Sequence, residues 1–550
     1  MKIVKSWRAR VAVLLAAALL TVGLAACVEE ATPVDTAVDT TVATEAATEA
    51  ATEAATETAT EVATEVATEA LTETSTEAPT EAPTEAATEA PTEVATEAPT
   101  EAPTEAPTEA PTEAPTEAPT EAPTEAPTEA PTEAPTEAPT EAVTEAPSIK
   151  EQLGLNVNMS DLSEAMQPIF SGNTSVKETV MFLDKGDEKS LLYPIGEIIS
   201  VTSYDGSRRY EEGVDYEVVD GKLKVLATSN IPCITSARYY NHAGSSINTV
   251  NPATGAMTPT FWGESLVKAW QVSVTYTHNT TWEGYTQASQ LEVYQNLIKK
   301  LQNGDDVTVF FYGDSITWGA CSSFMEGTNP KQGSYAMLTV QALADLFDYT
   351  VKYVNTGLVG VVTPEQSMPC APVPTQDYVA GTRGTITYVN TAIGGWKSTH
   401  GVTNVDTFVT EQIGKYGCDL FVIAFGMNDG DLQARTTANN VKSIVSSVYD
   451  LKPDAGVVIM STMVPHNGSS WDFASIKQQE TQLKKVAKDF RDDHGKACAV
   501  ACMTSVSKAV LEHKTFNDYS GNNINHPNDW FYRVYAQTVI QTLIGYENMN

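Results

Sequence analysis

The chain of 550 residues carries 71 aspartates and glutamates against 33 lysines and arginines, a formal charge of −38. That excess is confined to one segment: Val28 to Ser148 holds 30 acidic residues and no lysine or arginine, whereas from Lys150 onward 41 acidic residues face 29 basic ones. The charge therefore says little about substrate, and the lack of a basic patch argues against a nucleic-acid role.

Residues 1–27 read as a processing segment. Lys2, Lys5, Arg8 and Arg10 form a positive start, and Val11 to Leu20 an apolar run too short for a confident membrane span. The run ends in Leu24-Ala25-Ala26-Cys27, which resembles a bacterial lipobox. That resemblance implies lipidation of Cys27, which becomes the N-terminus, and places the protein on the extracellular face of a bacterial cell membrane.

In residues 28–149, glutamate recurs every fourth residue from Glu45 to Glu145, first in Thr-Glu-Ala-Ala units and then in Thr-Glu-Ala-Pro units. With almost no large apolar side chains, the segment cannot offset the entropy of ordering, and it is expected to be a disordered stalk. Proline in most later units excludes a helix there. Mutual repulsion and proline stiffness extend such a chain, so it reads as a spacer.

Seven cysteines occur in the sequence. Beyond Cys27, the residues Cys233, Cys321, Cys370, Cys418, Cys498 and Cys502 form neither a metal-like nor a disulfide-dense pattern, and a Cys321–Cys370 bridge between two loops is left open. No His-x-x-x-His or Cys-x-x-Cys pair occurs, so neither a metal nor another cofactor is expected.

Residues 150–285 read as a small β-rich accessory domain. Strand patterns cover 179–183, 197–202, 214–219 and 222–226, with Asp220-Gly221 suited to a type I′ hairpin turn, and Val272, Val274 and Tyr276 alternate on a later strand. A role in packing and shaping a neighbouring cleft is favoured over carbohydrate binding.

From 286 to 550 the period changes. Leu291, Tyr294, Ile298 and Leu301 share a helical face ended by Asn303-Gly304. Strands are then expected at 307–312, 351–355, 386–390, 419–425, 456–462 and 497–503, and helices near 334–348, 404–416, 434–450 and 529–545. A further amphipathic helix carries Ile476, Leu483, Val486 and Phe490. Apolar strands separated by helices imply an α/β fold with a parallel sheet covered on both faces. A ligand site then lies at the carboxyl ends of the strands.

One strand, Val307 to Tyr312, stops at Gly313-Asp314-Ser315-Ile316-Thr317. That places a serine hydroxyl at the end of a buried strand and the start of a helix, where free N–H groups and the helix dipole favour negative charge. Two further pieces follow in order, Gly426-Met427-Asn428-Asp429 and Asn525-His526-Pro527. Together these motifs resemble the SGNH (GDSL-type) hydrolases over roughly residues 300–545. The resemblance implies a flavodoxin-like α/β/α sandwich and a serine esterase that needs no cofactor.

It also implies roles. Ser315 is the expected nucleophile and His526 the base that takes its proton. Asn428 is expected to donate its amide to the oxyanion, with a glycine N–H beside it. Gly395, in Gly394-Gly395-Trp396-Lys397-Ser398, is preferred for that glycine over Gly360. The position three residues before His526 holds Asn523 where the family has aspartate, so the third triad member stays open. Asp518 or Asp529 of the same region, or a backbone carbonyl in a Ser–His dyad, are the alternatives; a dyad is favoured because Asp529 suits a helix start. Asp314 and Asp429 are expected to hold loops, and His466 to line the cleft.

The expected substrate is an acylated carbohydrate or another small ester, with Trp318, Trp396 and Trp530 as stacking faces. A lipase or thioesterase of the same fold, or a non-catalytic surface glycan-binding protein, are the competing expectations.

Overall fold

A computed structural model describes residues 163–240, 267–358 and 370–546. All lie in the compact unit Glu133–Asn550. The readings made for Cys27, for the repeat segment and for Gly360 fall outside the described residues.

The β-rich part holds seven strands: β1 Thr174–Met181, β2 Glu188–Lys189, β3 Glu197–Ser203, β4 Arg209–Tyr210, β5 Tyr216–Val219, β6 Lys222–Val225 and β7 Gln271–Thr277. They form an antiparallel sheet in the order β1-β7-β3-β4 and a smaller one in the order β2-β6-β5. Asp220 and Gly221 both have positive φ, 49° and 72°, as a type I′ turn demands. The first strand begins at Thr174, earlier than its apolar pattern indicates, because an irregularity between Ser175 and Glu178 shifts its register against β7.

Seven further strands make the second sheet: β8 Val307–Gly313, β9 Thr350–Tyr353, β10 Tyr378–Val379, β11 Thr385–Asn390, β12 Leu420–Ala424, β13 Gly456–Met460 and β14 Cys498–Ala501. Their order is β10-β9-β11-β8-β12-β13-β14. All neighbours run parallel except β10, which is antiparallel to β9. Apart from the β9–β10 edge, the strands stand in the sequence order 2-1-3-4-5 of a flavodoxin-like sheet. The fold is the expected α/β architecture.

Strand β8 shows why the sheet is buried on both faces. Val307, Val309 and Phe311 enter one hydrophobic cluster with the helices Tyr335–Phe347 and Asp529–Leu543. Phe310 and Tyr312, one step out of phase, enter another with Ala434–Leu451 and Ala474–His494. Period-two alternation thus supplies both layers from one strand. Each such apolar side chain contributes on the order of 2 kcal/mol on burial. The first cluster also takes in Val180, Val201, Val272 and Val274 of the β-rich part, so one core runs beneath both.

Two stretches show detail that the sequence pattern does not. The expected helix 404–416 is present, passing through a π-helical stretch, Asp406–Thr410, into the α-helix Glu411–Tyr416, and a separate short helix, Ser398–Thr403, precedes it. Asn404 stands between the two helices, its backbone N–H and its side-chain amide both donating to His400 O, at 3.0 and 2.9 Å. The apolar stretch around Cys502 also does not end as strand but turns into a helix, Met503–Leu511.

Candidate active site

Strand β8 delivers Ser315. Gly313 ends the strand in register with Ala424 of β12, and a Cβ there would run into Ala424 O and Thr317 Oγ1, so only glycine fits. Asp314 then caps the next turn, accepting from Ile316 N at 3.0 Å. The helix it caps, Ser315–Trp318, is a single turn. It therefore offers local N–H groups rather than the longer macrodipole the sequence suggested.

His526 arrives from a loop between the helices Phe516–Tyr519 and Asp529–Leu543. Its Nε2 lies 2.8 Å from Ser315 Oγ. The loop is pinned at both ends: Gly521 N donates to His526 O at 2.9 Å, and Ser520 Oγ donates to the same carbonyl at 2.9 Å. The β-rich part holds it from outside. Gln271 Nε2 donates to Asn517 O and Ser520 O, Asn528 Nδ2 donates to Thr179 Oγ1 and Gln271 Oε1, and Arg533 reaches Val176 O and Lys177 O. A segment that looks like an appended module in sequence thus supports the loop that carries the histidine.

The three side chains considered for the third triad position are committed elsewhere. Asn523, in left-handed backbone at φ 56°, turns its amide to Tyr239 Oη at 3.2 Å. The Asp518 carboxylate accepts from Met181 N at 2.9 Å and from Thr515 N at 2.7 Å. Asp529 accepts from Ser323 N at 2.8 Å and opens the last helix. The group against His526 Nδ1 is instead Asn522, with Nδ2 at 2.9 Å. Cys321 Sγ lies 3.9 Å from the same nitrogen. Cys321 and Cys370 are not bridged to each other.

Asn428 follows β12 after Gly426, whose φ of 139° and contact with Gln479 leave no room for a side chain. Its Nδ2 donates to Trp396 O at 3.0 Å, which joins the Gly426–Asp429 turn to the Gly394–Ser398 turn. Asp429 strengthens that junction by accepting from Ser398 N at 2.9 Å. Gly395 is exposed, with φ 80°, in the second of these turns. Serine, histidine, amide and glycine thus come from segments that follow adjacent strands β11, β8 and β12, or from the late loop.

Residues 309–537 match the family model of GDSL-like lipases/acylhydrolases. This part of the chain is a GDSL-type serine ester hydrolase domain. No curated protein matches the chain. Among solved structures, it is similar to a two-domain esterase active on acetylated mannans, at 18% identity over 48% of this chain and TM-score 0.33. The match spans 56% of that esterase, a little over half its length. It is also similar to an acetyl xylan esterase (16% identity, 43% of this chain, 98% of the other, TM-score 0.28) and to a family 3 carbohydrate esterase of Clostridium thermocellum (13%, 44%, 98%, TM-score 0.27).

Electrostatically, the GDSL domain keeps its histidine neutral. Burial pushes His526 down to about 4. A neutral ring is the form a general base requires. Asp314 is raised to about 7 by burial, against its N–H partner at Ile316 and with the Asp429 charge adding to the rise. Its contacts are those of a cap, and Asp429 holds a turn, as the sequence indicated. His466 is also lowered to about 4 by burial. It joins the site through its backbone, His466 N donating to Ile524 O at 2.8 Å, while its ring packs on Phe516.

Of the aromatic expectations for the GDSL domain, Trp318 is partly exposed, and the other two need correction. Trp396 and Trp530 are core residues at 2% and 1% exposure and offer no open face. Trp396 packs against Tyr312 and Phe408 instead. A partly exposed tryptophan unforeseen in sequence, Trp471, donates its indole N–H toward Asn428 Oδ1 at 3.5 Å. It lies in a loop without apolar periodicity, so only its residue type could have drawn notice.

Proposed function

We propose that the domain removes acyl groups from esterified carbohydrate, most simply acetyl groups. Ser315 attacks the ester carbonyl and His526 takes its proton; the Asn428 amide and the Gly395 N–H receive the oxyanion. The acyl-enzyme is then hydrolysed by water, with His526 again moving the proton. The observation that carries this reading is the 2.8 Å contact of His526 Nε2 with Ser315 Oγ.

The sugar side of the proposal rests on Trp471. Its indole borders the amide assigned to the oxyanion, and the partly exposed Phe473 follows two residues later. An aromatic wall beside the reacting carbonyl suits the apolar face of a pyranose ring. The leader and Cys27 would anchor the enzyme to the outer face of a membrane, with the acidic repeat as spacer.

The test is a panel of acetylated oligosaccharides, longer-chain acyl esters and thioesters. The proposal expects the highest kcat/KM on acetylated sugars and a rise in KM for them on Trp471→Ala. Preference for long acyl chains, or for thioesters, would sink the carbohydrate assignment and leave the hydrolase.

A further inference from the structure

The amide of Asn522 has only one orientation open to it. Its Oδ1 accepts from three backbone N–H groups, those of Ile524, Asn525 and His526, each at 3.0 Å. Turning the amide over would set an NH2 group against all three donors. Nδ2 is therefore fixed as the atom that faces His526 Nδ1 at 2.9 Å, and its other hydrogen goes to Asn525 Oδ1 at 3.1 Å. An amide nitrogen only donates, so Nδ1 must accept. In a neutral ring the proton then sits on Nε2, pointing at Ser315 Oγ.

We propose that Asn522 is the positioning residue for His526, and that it holds the ring at rest in the tautomer that cannot take the serine proton. This rests on reading Ser315 and His526 as nucleophile and base. Turnover then requires the proton to leave Nε2 and occupy Nδ1, so that the Nε2 lone pair faces Ser315. When the serine proton next moves to Nε2, the imidazolium carries hydrogens on both nitrogens and its Nδ1–H opposes the Asn522 NH2. Both steps cost free energy that a carboxylate at this position removes, since it accepts from Nδ1–H and offsets the positive charge.

Few other groups can change this balance. Among the described residues, the titratable side chains that reach the ring are Ser315 and Cys321, the latter 3.9 Å from Nδ1. The neighbouring carboxylates of Asp518 and Asp529 are turned to backbone donors, and His466 is joined to the loop by its backbone.

The experiment has a spectroscopic and a kinetic arm. Histidine-selective 15N labelling of the full chain, with the His526 signals assigned by their loss in His526→Gln, reports which ring nitrogen carries the proton at neutral pH. We expect Nε2; a proton on Nδ1 overturns the proposal, whether or not the protein hydrolyses esters. In Asn522→Asp one carboxylate oxygen keeps the three backbone donors and the other meets Nδ1–H. This variant is expected to raise kcat at least about tenfold and to move the acid limb of the pH profile upward. An unchanged or lower kcat in a variant that melts like the wild type contradicts it. Absence of any Ser315-dependent hydrolysis in the parent would instead sink the functional reading, and the 15N arm still decides the role of Asn522.

Discussion

Glu178 of β1 and Lys514, which directly precedes the segment leading to His526, face each other 2.5 Å apart with neither side chain exposed. Glu178 also accepts from Leu192 N at 2.7 Å and from Tyr276 Oη at 2.8 Å, so its charge is met on several sides. A buried pair of this kind is weak evidence of net stabilisation, but removing one partner leaves an uncompensated charge. The pair therefore acts as a registration point between the β-rich part and the histidine loop.

Glu178→Gln should accordingly cost about 3–5 kcal/mol, because Lys514 would lose its contacting carboxylate in the core and keep only the more distant Asp518 charge and the Trp530 ring. Urea unfolding followed by circular dichroism measures it. A loss below about 1 kcal/mol would show that Lys514 finds another partner, and the registration role would fail.

Asp518→Asn and Asp529→Asn separate structural from chemical roles. Burial opposes the charge of Asp518, yet Lys189 and Lys514, with donors from Thr515 and Met181, hold its carboxyl below the ordinary value. Its contribution to stability is thus present above the ordinary carboxylate range and is lost as pH falls through the lowered folded value. Asp518→Asn should destabilise by roughly 1–3 kcal/mol, and both variants should keep kcat within about tenfold of the parent. A fall of a thousandfold in a well-folded variant would mean that the aspartate does serve the imidazolium.

The pH profile follows from His526. Its folded value is pushed down to about 4, so the ring stays neutral until well below its ordinary value of 6.5. The acid limb of kcat/KM should lie near pH 4, with activity lost as pH falls through it. The same group makes the fold less stable as pH drops below 6.5, because the unfolded chain takes up the proton first. An acid limb near 6.5 would show that the ring is not held in a desolvated setting.

Cys27→Ser should release the protein from membranes if the lipobox reading holds. Cell fractionation followed by immunoblotting reads this directly. Membrane association equal to that of the parent would remove the lipid anchor.

Much of this was legible in the sequence because period and punctuation agree. Val307 to Tyr312 stops at Gly313-Asp314-Ser315, and a strand buried on both faces can stop so sharply only where the chain must turn. His526 stood out through its turn-rich loop before an apolar helix. Other features depend on tertiary choices that no period records. Asn522 and Asn523 are adjacent and chemically identical, and which of them meets the ring is decided by three backbone N–H groups claiming Asn522 Oδ1. Trp396 and Trp530 read equally well as binding faces or as core, and the packing around Tyr312 and Phe531 selects core. The β9–β10 edge adds a short antiparallel pair, Tyr378–Val379 against Thr350–Val351, too brief to show as alternation.

The central claim is that Ser315 is the nucleophile of an ester hydrolase, and the most direct measurement is ester hydrolysis by Ser315→Ala beside the parent. Alanine removes one hydroxyl from a site at 6% exposure and leaves the Asp314 cap in place, so the fold should be kept. The account predicts that kcat/KM falls by several orders of magnitude with an unchanged melting curve. A correctly folded Ser315→Ala protein that keeps even a tenth of the parent's rate would contradict it.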